Sequence, residues 1–205
     1  MRRFAVLFLL LLVVCFGGAA SASADTVQLL KVGDEIPAIG FAGPYQATLN
    51  GSSITMVCMS FDRNVALGQS WEVTVNELTA EGVANSLYGD QDDALFRYQQ
   101  IAFLTDQLAL HPDASGDIQV AIWNIFNTDT PDTAGSAAWL ALAGSQDFTG
   151  YDFSNFRILT PTDRSSAGPQ ENIVTVPEPT TMLLLGTGLA AIGAKFRKRR
   201  RTLEQ

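Results

Sequence analysis

Cys58 is one of two cysteines in the 205-residue chain, and the other, Cys15, lies in an apolar leader that export removes. Exported domains usually pair their cysteines, so a single remaining thiol is a candidate nucleophile. The second string with chemical content is Asp117-Ile118-Gln119-Val120-Ala121-Ile122-Trp123, where the carboxamide of Gln119 sits among residues suited to a core. Two readings stay open for these residues. Cys58 is either reactive or a small buried hydrophobe on a strand, and Gln119 either reacts or satisfies backbone groups near a helix end. Cys58 and His111 would make a nucleophile–base pair, oriented by an Asn or Asp. His111, the only histidine, stands before Pro112 in an expected exposed loop, which argues against a cysteine hydrolase. Asp90, Asp92 and Asp93 form an acidic loop without the spacing or terminal Glu of a calcium hand, so no metal site is expected there. No catalytic residue and no cofactor are expected.

The elements that must position these side chains can be read from periodicity. Residues 44–59 predict a hairpin: Tyr45–Leu49 alternates, Asn50-Gly51 signals a two-residue turn, and Ile54–Cys58 follows. A further strand is predicted over Ser70–Asn76, with Trp71, Val73 and Val75 on one face. From Asp92 the pattern changes. Leu95, Tyr98, Ala102, Phe103 and Leu108 recur at helical spacing, and Pro112–Gly116 ends that helix. A second helix is predicted over Asp117–Asn127, with Ile118, Ala121, Ile122 and Ile125 on one side and Asp117 capping or flanking its start. Thr133–Ala143 predicts a third helix and Phe156–Leu159 a returning strand. Residues 162–175 are polar, with Ser, Gly and Pro, and read as a linker. The expected fold class is α+β: an antiparallel sheet in the N-terminal half packed with a small helical subdomain, plus a separate C-terminal transmembrane helix.

The strand ending in Cys58 and the Gln119-x-Ala121-Ile122-Trp123 helix together resemble the thioester domains of bacterial surface adhesins. The resemblance covers roughly Gly43 to Trp123 and rests on two short strings. It departs from the family pattern at Ile118, often Thr, and at Val57, often aromatic. The resemblance implies that Cys58 and Gln119 condense into an internal thioester that an amine or hydroxyl on a partner surface can attack. It also implies that Trp123 shields the bond. Such a bond needs a thiol, a carboxamide carbon and exclusion of water, and Phe61 and Ile122 are further candidates for the dry wall. No turnover is expected, so the protein is not read as an enzyme.

The two ends of the chain read as targeting segments. Arg2 and Arg3, the apolar run Phe4–Phe16 and the small residues Ala22-Ser23-Ala24 form a secretory signal over residues 1–24, cut after Ala24. Val14 stands before Cys15 where a lipoprotein signal wants a small residue. At the other end, Val176-Pro177-Glu178-Pro179 precedes thirteen apolar or small residues, Met182–Ala194, and then six basic residues within Lys195–Arg201. This order of parts resembles the PEP-CTERM sorting tail and covers about the last thirty residues. It implies recognition by an exosortase-like membrane protease and transient membrane anchoring, followed by the cell surface or extracellular matrix. As a helix the thirteen residues rise roughly 20 Å, short of the ~30 Å hydrocarbon core unless Thr180, Thr181 and the Lys195 stem extend the segment to about 181–196. Gly186, Ala190 and Ala194 add a small-residue stripe.

The exported α+β domain is thus expected at 25–161, the linker at 162–175 and the sorting tail at 176–205. Eight of the 13 basic residues lie in the targeting segments, and 19 of the 21 acidic residues lie in the region between them, whose net charge is near −14. Phosphate contact needs clustered Lys and Arg, so nucleic-acid binding is excluded. The remaining function classes are a covalently attaching surface protein and a non-covalent polysaccharide- or protein-binding module.

Overall fold

The computed structural model describes residues 24–176. Eight strands and four helices follow in the order β1 (Asp25–Lys31), β2 (Glu35–Ile36), β3 (Gly40–Phe41), β4 (Tyr45–Leu49), β5 (Ser52–Cys58), β6 (Ser70–Glu77), α1 (Ala80–Ala84), α2 (Ala94–Leu110), α3 (Ser115–Phe126), α4 (Ser136–Gly144), β7 (Phe156–Pro161) and β8 (Asn172–Thr175). A 3-10 turn over Pro112–Ala114 separates α2 from α3. Six strands close into an antiparallel barrel in the order β1-β4-β5-β8-β7-β6, while β2 and β3 form a small ribbon of their own.

The predicted hairpin forms, with Tyr45 opposite Met56 and Leu49 opposite Ser52. Asn50 and Gly51 take φ values of 51° and 80°, the two positive angles that a type I′ turn requires. The helix expected from Asp92 is α2, which begins at Ala94. Asp93 stands at its N-cap in a left-handed conformation and makes no side-chain capping bond. Trp71 and Val73 point into the barrel as expected, but Val75 is exposed.

Two apolar cores share the β5-β8-β7 wall. Val27, Leu29, Ala47, Met56, Cys58, Val73, Leu159 and Val174 fill the barrel, and Val120 and Trp123 of α3 enter the same cluster. Val57, Ile158 and Ile173 face outward and pack on Tyr98, Ile101, Leu104, Ile118 and Ile122. The alternation along each strand therefore feeds both cores, and fully burying each such side chain is worth roughly 1.5–3 kcal/mol. Helix α3 is buried on two sides because it lies between them.

Two expectations require correction. The sheet does not belong to the N-terminal half alone, since β7 and β8 close the barrel from beyond the helices. Nor is 162–175 a linker throughout: Asn172–Thr175 is a barrel strand between β5 and β7, and Gln170, Glu171 and Asn172 are buried. The polar composition misled because the Glu171 carboxyl and the Gln170 and Asn172 amide N–H groups find partners inside. The expected C-terminal transmembrane segment lies outside the described residues, as do residues 1–23. Among the described residues no helix is long and apolar enough to cross a membrane.

Glu171 shows how this polar stretch is held. Its carboxyl accepts from the Leu87 N–H at 2.7 Å, the Thr160 hydroxyl at 2.6 Å and the Tyr98 hydroxyl at 2.5 Å. Its own N–H donates to Ser60 Oγ. It thereby ties the barrel, α2 and the loop before α2 together. Burial raises its pKa above the ordinary glutamate range, against the lowering effect of these donors. Glu171→Leu orphans three donors at about 1–3 kcal/mol each, so chemical denaturation should show a loss on the order of 3 kcal/mol or more. The raised pKa means that the folded state holds the proton longer than the unfolded chain. Stability should therefore fall as pH rises from the ordinary carboxylate value through the raised one, and Glu171→Gln should flatten that dependence in pH-resolved unfolding.

Candidate functional site

Cys58 ends β5 and points into the barrel, fully buried. Its thiol donates to the Ser60 carbonyl oxygen at 3.3 Å and accepts from the Trp123 indole N–H at 3.4 Å. Helix α3 crosses the same end of the barrel. The Gln119 side chain leaves it toward β5, where Nε2 donates to the Cys58 carbonyl oxygen at 2.8 Å. On its other side Gln119 Oε1 accepts the Gly43 N–H at 2.8 Å. Gln119 is fully buried, and both polar ends of its amide are engaged. The structure thus brings together Cys58, Gln119 and Trp123, three residues singled out from two separate strings.

Three neighbours escaped the sequence reading. A Cβ at Gly43 would stand 2.9 Å from Gln119 Oε1, closer than a side chain tolerates, so glycine permits the approach of this amide. Asn172 is the cross-strand partner of Cys58 and shares its face; its Oδ1 is buried without a partner. Ser60 supplies the carbonyl that receives the thiol proton. Only Asn172 carried a usable signal, the β-branched run Ile173-Val174-Thr175 that follows it.

Burial pushes the Cys58 thiol up to about 12, outweighing the lowering by the Trp123 and Ser60 hydrogen bonds. A thiol this weakly acidic is almost wholly protonated near neutrality and is a poor free nucleophile. His111 gives it no base: the residue is exposed, its backbone N–H caps the C-terminal end of α2 on the Gln107 carbonyl oxygen, and its ring packs against Trp139 with centroids 5.3 Å apart. Among the described residues no group of three His, Cys, Asp or Glu side chains is placed to hold a metal ion. Asp117 lies in the first turn of α3 and accepts the Gly135 N–H ahead of α4.

Above Trp123 opens a cavity of about 200 Å³, walled by Phe41, Tyr45, Phe61 and Trp123 and by the polar side chains Ser60 and Gln170 among others. The Phe61 and Trp123 rings stand 5.4 Å apart at 51°. Trp123 therefore lies between the cavity and the Cys58 sulfur.

The strand directions fix the orientation of this site. Asn172 starts β8 beside Cys58, and β8 runs from there away from the site to Thr175. Val176, the first residue of the sorting motif, is exposed and donates its N–H to the Asn155 carbonyl oxygen at 2.7 Å. The chain thus leaves the barrel at the end opposite the cavity. Ala24 directly precedes β1; Ala22, Pro177, Glu178 and Pro179 lie outside the described residues.

No curated protein and no solved structure matches the chain. Residues 175–200 match the family model of the PEP-CTERM protein-sorting motif. That motif implies processing by an exosortase, a membrane protein, and fits an exported protein that passes through a membrane-anchored intermediate. The chain thus carries a PEP-CTERM sorting motif at residues 175–200, which supports a protein sorted by an exosortase system.

Proposed function

We propose that the exported domain forms an internal thioester between Cys58 and Gln119 and uses it for covalent attachment at the cell surface or in the extracellular matrix. The observation that carries this reading is the Gln119 amide held against the Cys58 backbone in a dry core, with an N–H donor on its oxygen. Cys58 Sγ adds to Gln119 Cδ, and the developing oxyanion on Oε1 meets the Gly43 N–H, a donor already in place. The S–H proton passes to Nε2, the C–N bond breaks and ammonia leaves, so thiol and amide become thioester and ammonia. A partner amine or hydroxyl later adds to the same carbon. Its proton goes to sulfur, the C–S bond breaks, and the products are a new amide or ester on Gln119 and a free Cys58 thiol. The high thiol pKa suits a single slow self-reaction better than repeated turnover. Trp123 over the sulfur slows hydrolysis by keeping water out.

Intact mass spectrometry of the processed protein tests the bond. The expected mass is one ammonia below that of the sequence. Methylamine should convert the thioester to an N-methylamide and release a free thiol. Cys58→Ala and Gln119→Ala should each abolish the deficit. A full mass, with Cys58 alkylated in every denatured molecule, overturns the reading.

The Gly43→Ala variant should form the thioester at least tenfold more slowly, since its methyl displaces the Gln119 oxygen from the N–H; the rate of mass loss after refolding measures this. Replacing Pro177, Glu178 and Pro179 together with Ala should leave unprocessed chain in the membrane fraction on immunoblots, with surface delivery reduced.

A further inference from the structure

The cavity above Trp123 has a character of its own, separate from the thiol and amide beneath it. None of its lining residues carries a charge, although the exported region as a whole is strongly acidic. Two aromatic rings, Phe61 and Trp123, meet at 51° to form a corner. Tyr45 is nearly buried and its hydroxyl donates to the Phe41 carbonyl oxygen at 2.8 Å, which anchors the rim. Gln170 lines the same cavity at 9% exposure. Its Nε2 donates to the Arg63 carbonyl oxygen at 2.7 Å, whereas its Oε1 is buried with no partner. Buried acceptors are ordinarily satisfied, and one left open beside a cavity calls for a donor from outside.

We propose that this cavity is a binding subsite for one ring of a neutral saccharide. The C–H face of a sugar ring carries partial positive charge and packs on the negative face of an aromatic ring. Its hydroxyls supply the donor that Gln170 Oε1 lacks and reach Asn64, which lines the same cavity. At about 200 Å³ the cavity falls below the roughly 300–1,000 Å³ of drug-sized pockets, which fits a single ring with the rest of the glycan outside. The net negative charge of the exported region disfavours uronic or sulfated polymers. The cavity also lies at the end of the barrel where β8 begins, opposite the end where the described chain stops at Val176. Binding is non-covalent and independent of the thioester.

The full chain in detergent micelles can be titrated with maltotetraose, cellotetraose and laminaritetraose, following tryptophan fluorescence and calorimetry. Trigalacturonate and indole serve as charged and purely apolar controls. At least one neutral tetrasaccharide should bind saturably, with a Kd on the order of 1 mM or tighter, and trigalacturonate at least tenfold more weakly. Phe61→Ala and Gln170→Leu, each checked by circular dichroism, should weaken binding about tenfold. Affinity should be the same before and after methylamine treatment, so failure of the thioester reading leaves this result intact. The inference is overturned if no neutral tetrasaccharide binds. It is also overturned if indole or trigalacturonate binds better, or if both folded variants bind like the wild type.

Discussion

A single buried carboxamide joins the two halves of this molecule. Gln119 projects from a helix that is apolar on nearly every side, and it spans the gap to the barrel by giving a hydrogen bond to β5 and taking one from the loop before β4. A buried amide left unpaired would be strongly unfavourable, so the helix can dock only where both backbone partners are present. That fixes the register of α3 on the barrel. It also places Trp123, one turn further along, over the Cys58 sulfur.

The rest of the architecture supports that docking. Closing the barrel requires β7 and β8, which arrive after the helices, so the helical layer is threaded between two halves of one sheet. The wall made by β5, β8 and β7 serves both cores at once, with Met56 and Val174 inside and Val57 and Ile173 outside. Glu171, just before β8, adds a polar anchor by binding Tyr98 on α2, Thr160 on β7 and the Leu87 backbone. Barrel and helices therefore form one cooperative unit, in which the thiol and the amide are held from opposite sides.

Chemistry and delivery occupy opposite ends. The site and the aromatic cavity lie where β5 ends and β8 begins, and β8 then carries the chain to the sorting motif at the other end. The lining of that cavity is uncharged although the exported region as a whole is acidic, so what the cavity offers a ligand is shape, aromatic faces and hydrogen bonding rather than attraction between charges.

The local signals were legible in the sequence because they are short-range. Asn50-Gly51 dictates its turn, helical spacing marks α2 and α3, and the order Pro-Glu-Pro, apolar run and basic cluster marks the sorting tail. Cys58, Gln119 and Trp123 stood out by residue type alone. The strand β8 did not, because Gln170, Glu171 and Asn172 look like solvated linker until a barrel surrounds them with partners. Barrel closure was equally hidden, since pairing β1 with β6 and β5 with β8 joins segments far apart in the chain and leaves no local pattern. Gly43 matters only because another element comes within van der Waals distance of it. The sequence by itself determined the address and singled out the residue types of the candidate site. Tertiary structure alone decided that thiol and amide share one dry core, because that depends on contacts across 61 residues of chain.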